Sequence, residues 1–446
     1  MGPHIKQCLT LFLGSALIWL TACSGSDSSP PQSTANQSPT TAQKPVIPPP
    51  TTPTTAPPGP APGSGTGTGT GGTGGTFNLG YGFNALVRTI AMAQDGTLDF
   101  YVGGDFDNYN GTPANRVIRL HPDGTVAQTF AQEFDLPVMA LAPATDGSNA
   151  LYVGQWFTQS EPQVVRFTSN GLRDSAFQAS GLFGEQAFHD TIILDLAVTD
   201  DGSGDVYVAG NIWTGAWGTP VQEIIGRVVR LNPDGSHDPT FGDVRFVGPA
   251  DKNEPMVWGI AVAPGSSNVY VGGLLGNSGL IRLSPDGTVD STFTKFPGNA
   301  ATIEVAKDRS GDIYAGGYQA LGPVRLHETG ALDTIFSPPQ PINTLATYAI
   351  APADDGTGDA LVSGWLRLLR LNRTGGLVPT FQEPTLSPAL PGPYGDRNVY
   401  TMVPIPDGTG DFYIGGAFSG YNGAPANNFA RIHADGSLAS SGTALP

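Results

Sequence analysis

The sequence predicts an all-β fold assembled from a repeated unit, and three observations carry that expectation. The phrase Arg119-Leu120-His121-Pro122-Asp123-Gly124 returns around Arg166, Arg230, Arg282, Arg325, Arg370 and Arg431. Each arginine precedes an apolar residue, and a glycine stands four positions beyond it (Gly124, Gly171, Gly235, Gly287, Gly330, Gly375, Gly436). Spacings between the arginines run from 43 (Arg282 to Arg325) to 64 residues (Arg166 to Arg230), the period of a repeat architecture. Short apolar runs separated by dense Gly and Pro, with no helical periodicity, complete the case for strands.

The chain opens with a segment that belongs to targeting rather than to the fold. Lys6 gives a positive start, Leu9 to Leu20 is mostly apolar but short for a membrane span, and small residues lead to Cys23. The junction Leu20-Thr21-Ala22-Cys23 resembles the lipobox of bacterial lipoproteins, which implies cleavage after residue 22 and lipidation of Cys23. Ser24 follows the cysteine; by resemblance to Gram-negative lipoproteins this implies the outer membrane or cell surface. Cys8 is lost with residues 1–22, so no thiol remains for a disulfide, a thiolate metal site or a nucleophile.

Residues 23–76 are rich in Ser, Thr, Pro and Gly and bury nothing, so the expectation is a disordered tether spanning about 40 Å. The repeats occupy 77–446. Formal charge is -17 for the whole chain; Lys6 leaves with the leader, and Asp27 and Lys44 cancel. An acidic domain without basic clusters argues against nucleic acid and against direct docking on anionic lipid.

Within the first unit, Val87 to Ala93 reads as a strand and Asp95-Gly96 as a turn. Asp99 to Gly104 is a second strand and Asn115 to Leu120 a third. Pro122-Asp123-Gly124 is a hairpin turn leading to a fourth strand that ends at Phe130. Seven such units predict a seven-bladed β-propeller of four-stranded antiparallel blades, an architecture that hides sheet edges by radial repetition. The recurring aromatic-Val-Gly-Gly (Tyr101 to Gly104, Tyr270 to Gly273), Arg-Leu, Asp-Gly and Asp-x-x-Phe elements resemble the delta-60 repeat family of bacterial propeller-like proteins. That resemblance implies a fold and an extracellular setting, and brings no reaction.

Six residues past the turn glycine stands Phe130, Phe177, Phe241, Phe293, Phe336 or Phe381, but the seventh copy has Gly442. Thr76-Phe77 supplies the missing phrase ahead of the first unit, so the N-terminal strand is expected to close the ring.

The seven arginines read first as scaffold, pairing with Asp174, Asp238, Asp290 and Asp333 where these follow the turn, because a ligand site rarely needs every blade alike. Acidic, glycine-rich turns such as Asp200 to Asp205, Asp354 to Asp359 and Asp407 to Asp411 are chemistry that could hold calcium. Their spacing is not that of an EF-hand, however, and Asp-Gly is common in hairpins. No catalytic motif, metal set or phosphate loop is present in the linear sequence, so no catalytic residue and no cofactor is assigned. The third unit is the longest, and its loops hold Phe183, Phe188, His189, Trp213 and Trp217, aromatics suited to a glycan or protein partner. The expected function is therefore a lipid-anchored, monomeric binding module. A propeller hydrolase or lyase with an axial site is the first alternative, and a calcium-stabilised adhesion scaffold the second.

Overall fold

A computed structural model describes residues 80–130, 134–157, 164–179, 190–214, 223–249, 255–265, 268–317, 322–389 and 397–439. It also describes two two-residue strands, Phe12–Leu13 and Ala16–Leu17. Cys23, the tether, Phe77, Phe183, Phe188, His189 and Trp217 lie outside the described residues. The repeats fall within one compact unit that takes in Gly75–Pro446.

Antiparallel sheets follow one another along the chain, one for each copy of the arginine phrase. The first contains β1 (Val87–Met92), β2 (Phe100–Gly104), β3 (Val117–Leu120) and β4 (Val126–Thr129). The second contains β5 (Val138–Pro143), β6 (Leu151–Phe157) and β7 (Val164–Phe167). The third contains β8 (Asp190–Val198), β9 (Val206–Thr214), β10 (Glu223–Leu231) and β11 (Val244–Pro249). β6 also pairs with β8 through Trp156 and Phe157, which joins these two sheets. The fourth contains β12 (Met256–Val262), β13 (Val269–Leu274) and β14 (Leu280–Leu283). The fifth contains β15 (Thr302–Val305), β16 (Ile313–Gly316) and β17 (Val324–Leu326). The sixth contains β18 (Thr347–Pro352), β19 (Ala360–Gly364) and β20 (Arg367–Leu371). The seventh contains β21 (Val399–Pro404), β22 (Phe412–Gly416) and β23 (Phe429–Ile432).

The expected fourth strand is the main correction. Among the described residues it is a full strand directly after the turn only in the first sheet. In the second to sixth it shrinks to a bridge, at Arg173, His237, Val289, Leu332 and Leu377; in the seventh Leu438 bridges Ile432 and the described residues end at Ala439. The cause is local. Asp174, Asp238, Asp290 and Asp333 each accept the backbone N–H two residues on, at 2.8–3.0 Å, which turns the chain out of the ladder. In the sixth sheet Pro379 follows at once and has no N–H to give. The first sheet has Ala127 at this position, and there the strand runs on.

The core is distributed between sheets rather than within them. Separate apolar clusters join the first sheet to the second, the second to the third, and so on to the sixth. The largest cluster brings the sixth, seventh and first sheets together, with Leu368, Tyr413, Phe429 and Phe100 fully buried. The phenylalanines of the repeat phrase work at these joints. Phe177, Phe241 and Phe336 stand edge-on to the second-strand tyrosine of their own sheet, with centroids 5.3–5.5 Å apart. Burying each such ring contributes roughly 2–3 kcal/mol.

The first strands of the sheets form the innermost layer. β1 packs on β5, β5 on β8, β8 on β12, β12 on β15, β15 on β18, β18 on β21, and β21 packs back on β1. Backbone and side-chain bonds tie the last sheet to the first: the Ile90 N–H donates to Thr401 Oγ1 at 3.2 Å, and the Phe83 N–H to the Asn427 carbonyl at 3.0 Å.

Candidate functional site

The glycine pair of the second strand determines what faces the centre. In six sheets the pairing of the first and second strands slips by one residue near the start of the first strand. Each slip leaves one residue unpaired, a β-bulge that kinks the strand and re-aims a side chain. The second glycine of the motif sits opposite. A Cβ at Gly104, Gly273 or Gly416 would run into the carbonyl oxygen of Leu86, Met256 or Asn398. In these sheets the second glycine accommodates the bulge, whereas in the second sheet Gln155 stands opposite it.

The residues that the register skips are Arg88, Met139, Leu194, Trp258, Tyr348 and Tyr400, and Ala301 occupies the same place ahead of β15. All seven line one cavity of about 400 Å³ enclosed by the seven first strands. Tyr348 and Tyr400 are neighbours in this ring, with centroids 5.7 Å apart and planes tilted by 55°. Asn398 fixes Tyr400 by donating to its hydroxyl at 3.4 Å, and accepts the Leu366 N–H at 3.0 Å. That second bond ties the β19–β20 hairpin, whose turn carries Trp365 at 64% exposed, to the residue before β21.

Two carboxylates also line the cavity. Asp195 follows the bulge of β8 and accepts N–H bonds from Leu196 and, across the sheet joint, from Ile260, both at 2.9 Å. Its carboxyl is pushed up to about 7, chiefly by burial, with the Glu304 charge adding to the rise against those two bonds. Glu304, on β15, is likewise pushed up to about 7 by burial, with Lys307 pulling the other way. Glu304 has no hydrogen-bond or ion-pair partner among the described residues. Both side chains keep part of their surface open to the cavity.

Neither carboxylate was singled out by motif, but the repeat itself contains the signal. With the first strands superposed on their bulges, the position of Glu304 is alanine in five other sheets (Ala91, Ala142, Ala197, Ala261, Ala351). The position of Asp195 is otherwise Thr, Ala or Gly. Each carboxylate is the single charged residue of its column, the seventh sheet having Val403 at the position of Glu304.

The sequence-nominated residues lie elsewhere. None of the seven repeat arginines lines the cavity. Each is held by aspartate from one of two sources. Arg166, Arg282 and Arg325 pair with Asp174, Asp290 and Asp333 at 2.5–2.8 Å, and Arg230 pairs with Asp238. In the first, sixth and seventh sheets the aspartate after the turn is replaced by Ala127, Val378 and Ala439. There the acidic turn before the second strand substitutes: Asp95 and Asp99 hold Arg119, Asp355 and Asp359 hold Arg370, and Asp411 holds Arg431. The guanidinium groups also lie over second-strand tyrosines, 5.4 Å from Tyr101 and 5.6 Å from Tyr152.

The turns weighed for calcium spend their oxygens on these arginines and on their own N–H and hydroxyl groups, as in Asp95 with Thr97 and Asp355 with Thr357. No group of three or more metal-binding side chains gathers among the described residues. His121, His327 and His433 each meet an aspartate (Asp99, Asp312, Asp411) on separate sheets. Of the third-unit aromatics only the backbone of Trp213 is described; it pairs with Asp190 and Ile224 near the end of β9.

A family model described as "Domain of unknown function (DUF5122) beta-propeller" matches residues 93–130, 226–241, 268–293 and 406–441. The matched pieces contain the arginine phrases of Arg119, Arg230, Arg282 and Arg431, and the first three end on Phe130, Phe241 and Phe293. Together with the antiparallel sheets, they make this chain a β-propeller repeat protein. No curated protein matches it.

Proposed function

We propose that this chain is a seven-bladed propeller, closed on itself, that acts as a binding module and receives a small ligand at the bulged end of its central cavity. The observation that carries the reading is the ring of residues that one repeat position sends to the cavity. Seven equivalent positions, six of them skipped by the strand register, surround one cavity, and they hold Arg, Met, Leu, Trp, Ala, Tyr and Tyr. Structural positions in this chain repeat; these do not. A rigid scaffold with varied, partly aromatic residues at one opening suits recognition. Closure is supported by the packing of β21 on β1 and by the apolar cluster shared between the seventh and first sheets.

Catalysis is the second reading, favoured by Asp195 and Glu304 in one cavity. An acid–base pair works when its two groups are driven apart, one protonated and one ionised. Here both are driven to about 7, and both Asp195 oxygens are engaged by backbone N–H groups. Binding fits that arrangement better.

The rest of the proposal follows from the N-terminal residues: a lipid at Cys23, a flexible tether, and a monomeric domain displayed at the outer membrane or cell surface. A protein or glycan partner at the third-unit loops (Phe183, Phe188, His189, Trp213, Trp217) is compatible with a small ligand at the cavity. Calcium stabilisation ranks below both, since the turn carboxylates already have partners.

The test is a plug. Ala301→Trp copies into the fifth sheet the residue that the fourth carries at the same position, filling the cavity mouth. A chemically mixed fragment screen by saturation-transfer NMR should yield hits on the wild type that vanish on Ala301→Trp while its melting temperature holds. If no fragment distinguishes the two proteins, the cavity is not a binding site.

A further inference from the structure

We infer that the ligand of the central cavity is an organic cation, an amine or quaternary ammonium group held by Asp195 and Glu304 against the rings of Trp258, Tyr348 and Tyr400. This rests on the cavity being a ligand site, as proposed above.

The charges around the ring decide the sign. Arg88 is the cation among the bulge residues, and it is already spent: its guanidinium makes a two-point pair with Asp105, Nη2 to Oδ2 at 2.8 Å, and its side chain is 6% exposed. Lys307 lines the same cavity, but it is exposed and lies beyond Val305, past the far end of β15. It stands in a turn three residues beyond Glu304, whose carboxyl it pulls down without reaching ion-pair distance. Among the described residues, Asp195 and Glu304 have no cation within salt-bridge distance. The two carboxylates are therefore open to a bound cation, and the chain as a whole, at -17, draws cations toward them.

The aromatic residues give the shape. Trp258, Tyr348 and Tyr400 come from the fourth, sixth and seventh sheets, and the two carboxylates from the third and fifth. A ring face attracts an ammonium group and is worth roughly 0.5–2 kcal/mol, more when water is excluded. Gly259 keeps the space between the carboxylates open: a Cβ there would have Ile303 at 3.5 Å and Asp195 Oδ2 at 3.7 Å as its nearest neighbours. An anion would meet two like charges. A neutral ligand would leave both carboxylates desolvated and uncompensated. The burial that raises both carboxyls is a cost that a bound cation removes.

The experiment compares three probes of similar size on the full chain by calorimetry: choline, its neutral isostere 3,3-dimethylbutan-1-ol, and butyrate. Choline should bind at least about tenfold tighter than the alcohol, and butyrate should not register. Glu304→Ala, which installs the residue of five other sheets, should weaken choline by about tenfold and leave the alcohol unchanged. Tyr400→Leu should weaken choline several-fold. Equal binding of choline and the alcohol, or choline binding indifferent to Glu304→Ala, overturns the assignment, as does failure of choline to bind at about 20 mM. A neutral or anionic ligand that binds the wild type and is lost in Ala301→Trp would sink the cation and leave the binding site standing. Loss of all plug-sensitive binding would sink both.

Discussion

Phe100 of β2 and Tyr413 of β22 stack with ring centroids 3.8 Å apart and planes 25° from parallel, although they belong to the first and last sheets. Phe429 extends the stack from the seventh sheet, 5.6 Å from Phe100. The Tyr413 hydroxyl reaches past this stack and donates to the Pro122 carbonyl in the first hairpin turn at 3.3 Å. The far ends of the chain thus share one aromatic core.

If this joint bears on the whole domain, Phe100→Ala should cost about 3–5 kcal/mol, the usual loss for an aromatic ring removed from a packed core. Urea unfolding should stay a single transition with an unchanged slope. A variant that instead melts in two steps would show the sheets to be independently stable.

Arg325 and Asp333 are 8% and 2% exposed at their side chains, and their pair is buried. Asp333→Ala leaves a guanidinium without its main partner and should lose about 3 kcal/mol by denaturant titration. Arg325→Met combined with Asp333→Ala should recover most of that loss, because an apolar pair in the same space needs no desolvated charge. A double variant as unstable as the single would assign the pair a positive net contribution.

The cavity carboxylates make stability depend on pH in the direction opposite to ordinary acid denaturation. Glu304 titrates near 7 when folded and near 4.5 when unfolded. Between those values the folded state holds the extra proton, so stability at this site falls as pH rises and the full penalty is present above 7. Asp195, shifted the same way, adds to the trend, whereas Lys307 opposes it. Glu304→Gln should therefore gain about 1–2 kcal/mol at pH 8, allowing for water in the cavity, and nothing at pH 4. Thermal melts of both proteins across that range decide it; a gain independent of pH would mean that charge is not the cause.

Cys23→Ser should move the protein from the membrane fraction to the soluble fraction with an unchanged melting temperature. Retention in the membrane would remove the lipid anchor from the proposal.

Much of the framework was legible because it repeats. Arginine, turn glycine and phenylalanine recur in nearly every unit, and each has one job: an ion pair over a tyrosine, a left-handed turn, a ring at a sheet joint. The fourth strand was overread. Asp174 and its counterparts look like neutral members of a strand, yet their side chains capture the N–H two residues on and bend the chain away. The cavity was missed for a different reason. It takes one residue from each sheet, so Asp195, Trp258, Glu304 and Tyr400 share no linear motif. They become visible only when the first strands are aligned on bulges, and the bulge is recorded in the partner strand, in the glycine opposite.

That glycine has a wider consequence. A residue that the strand register skips can be exchanged without shifting that register. The central opening therefore behaves like a combination lock whose wheels at Met139 and Leu194 can each be reset by a single codon, while Arg88 stays geared to Asp105 and Tyr348 to Tyr400. Exchanging residues at Ala301, Met139 and Leu194 alone should yield a library of pockets on one unaltered scaffold.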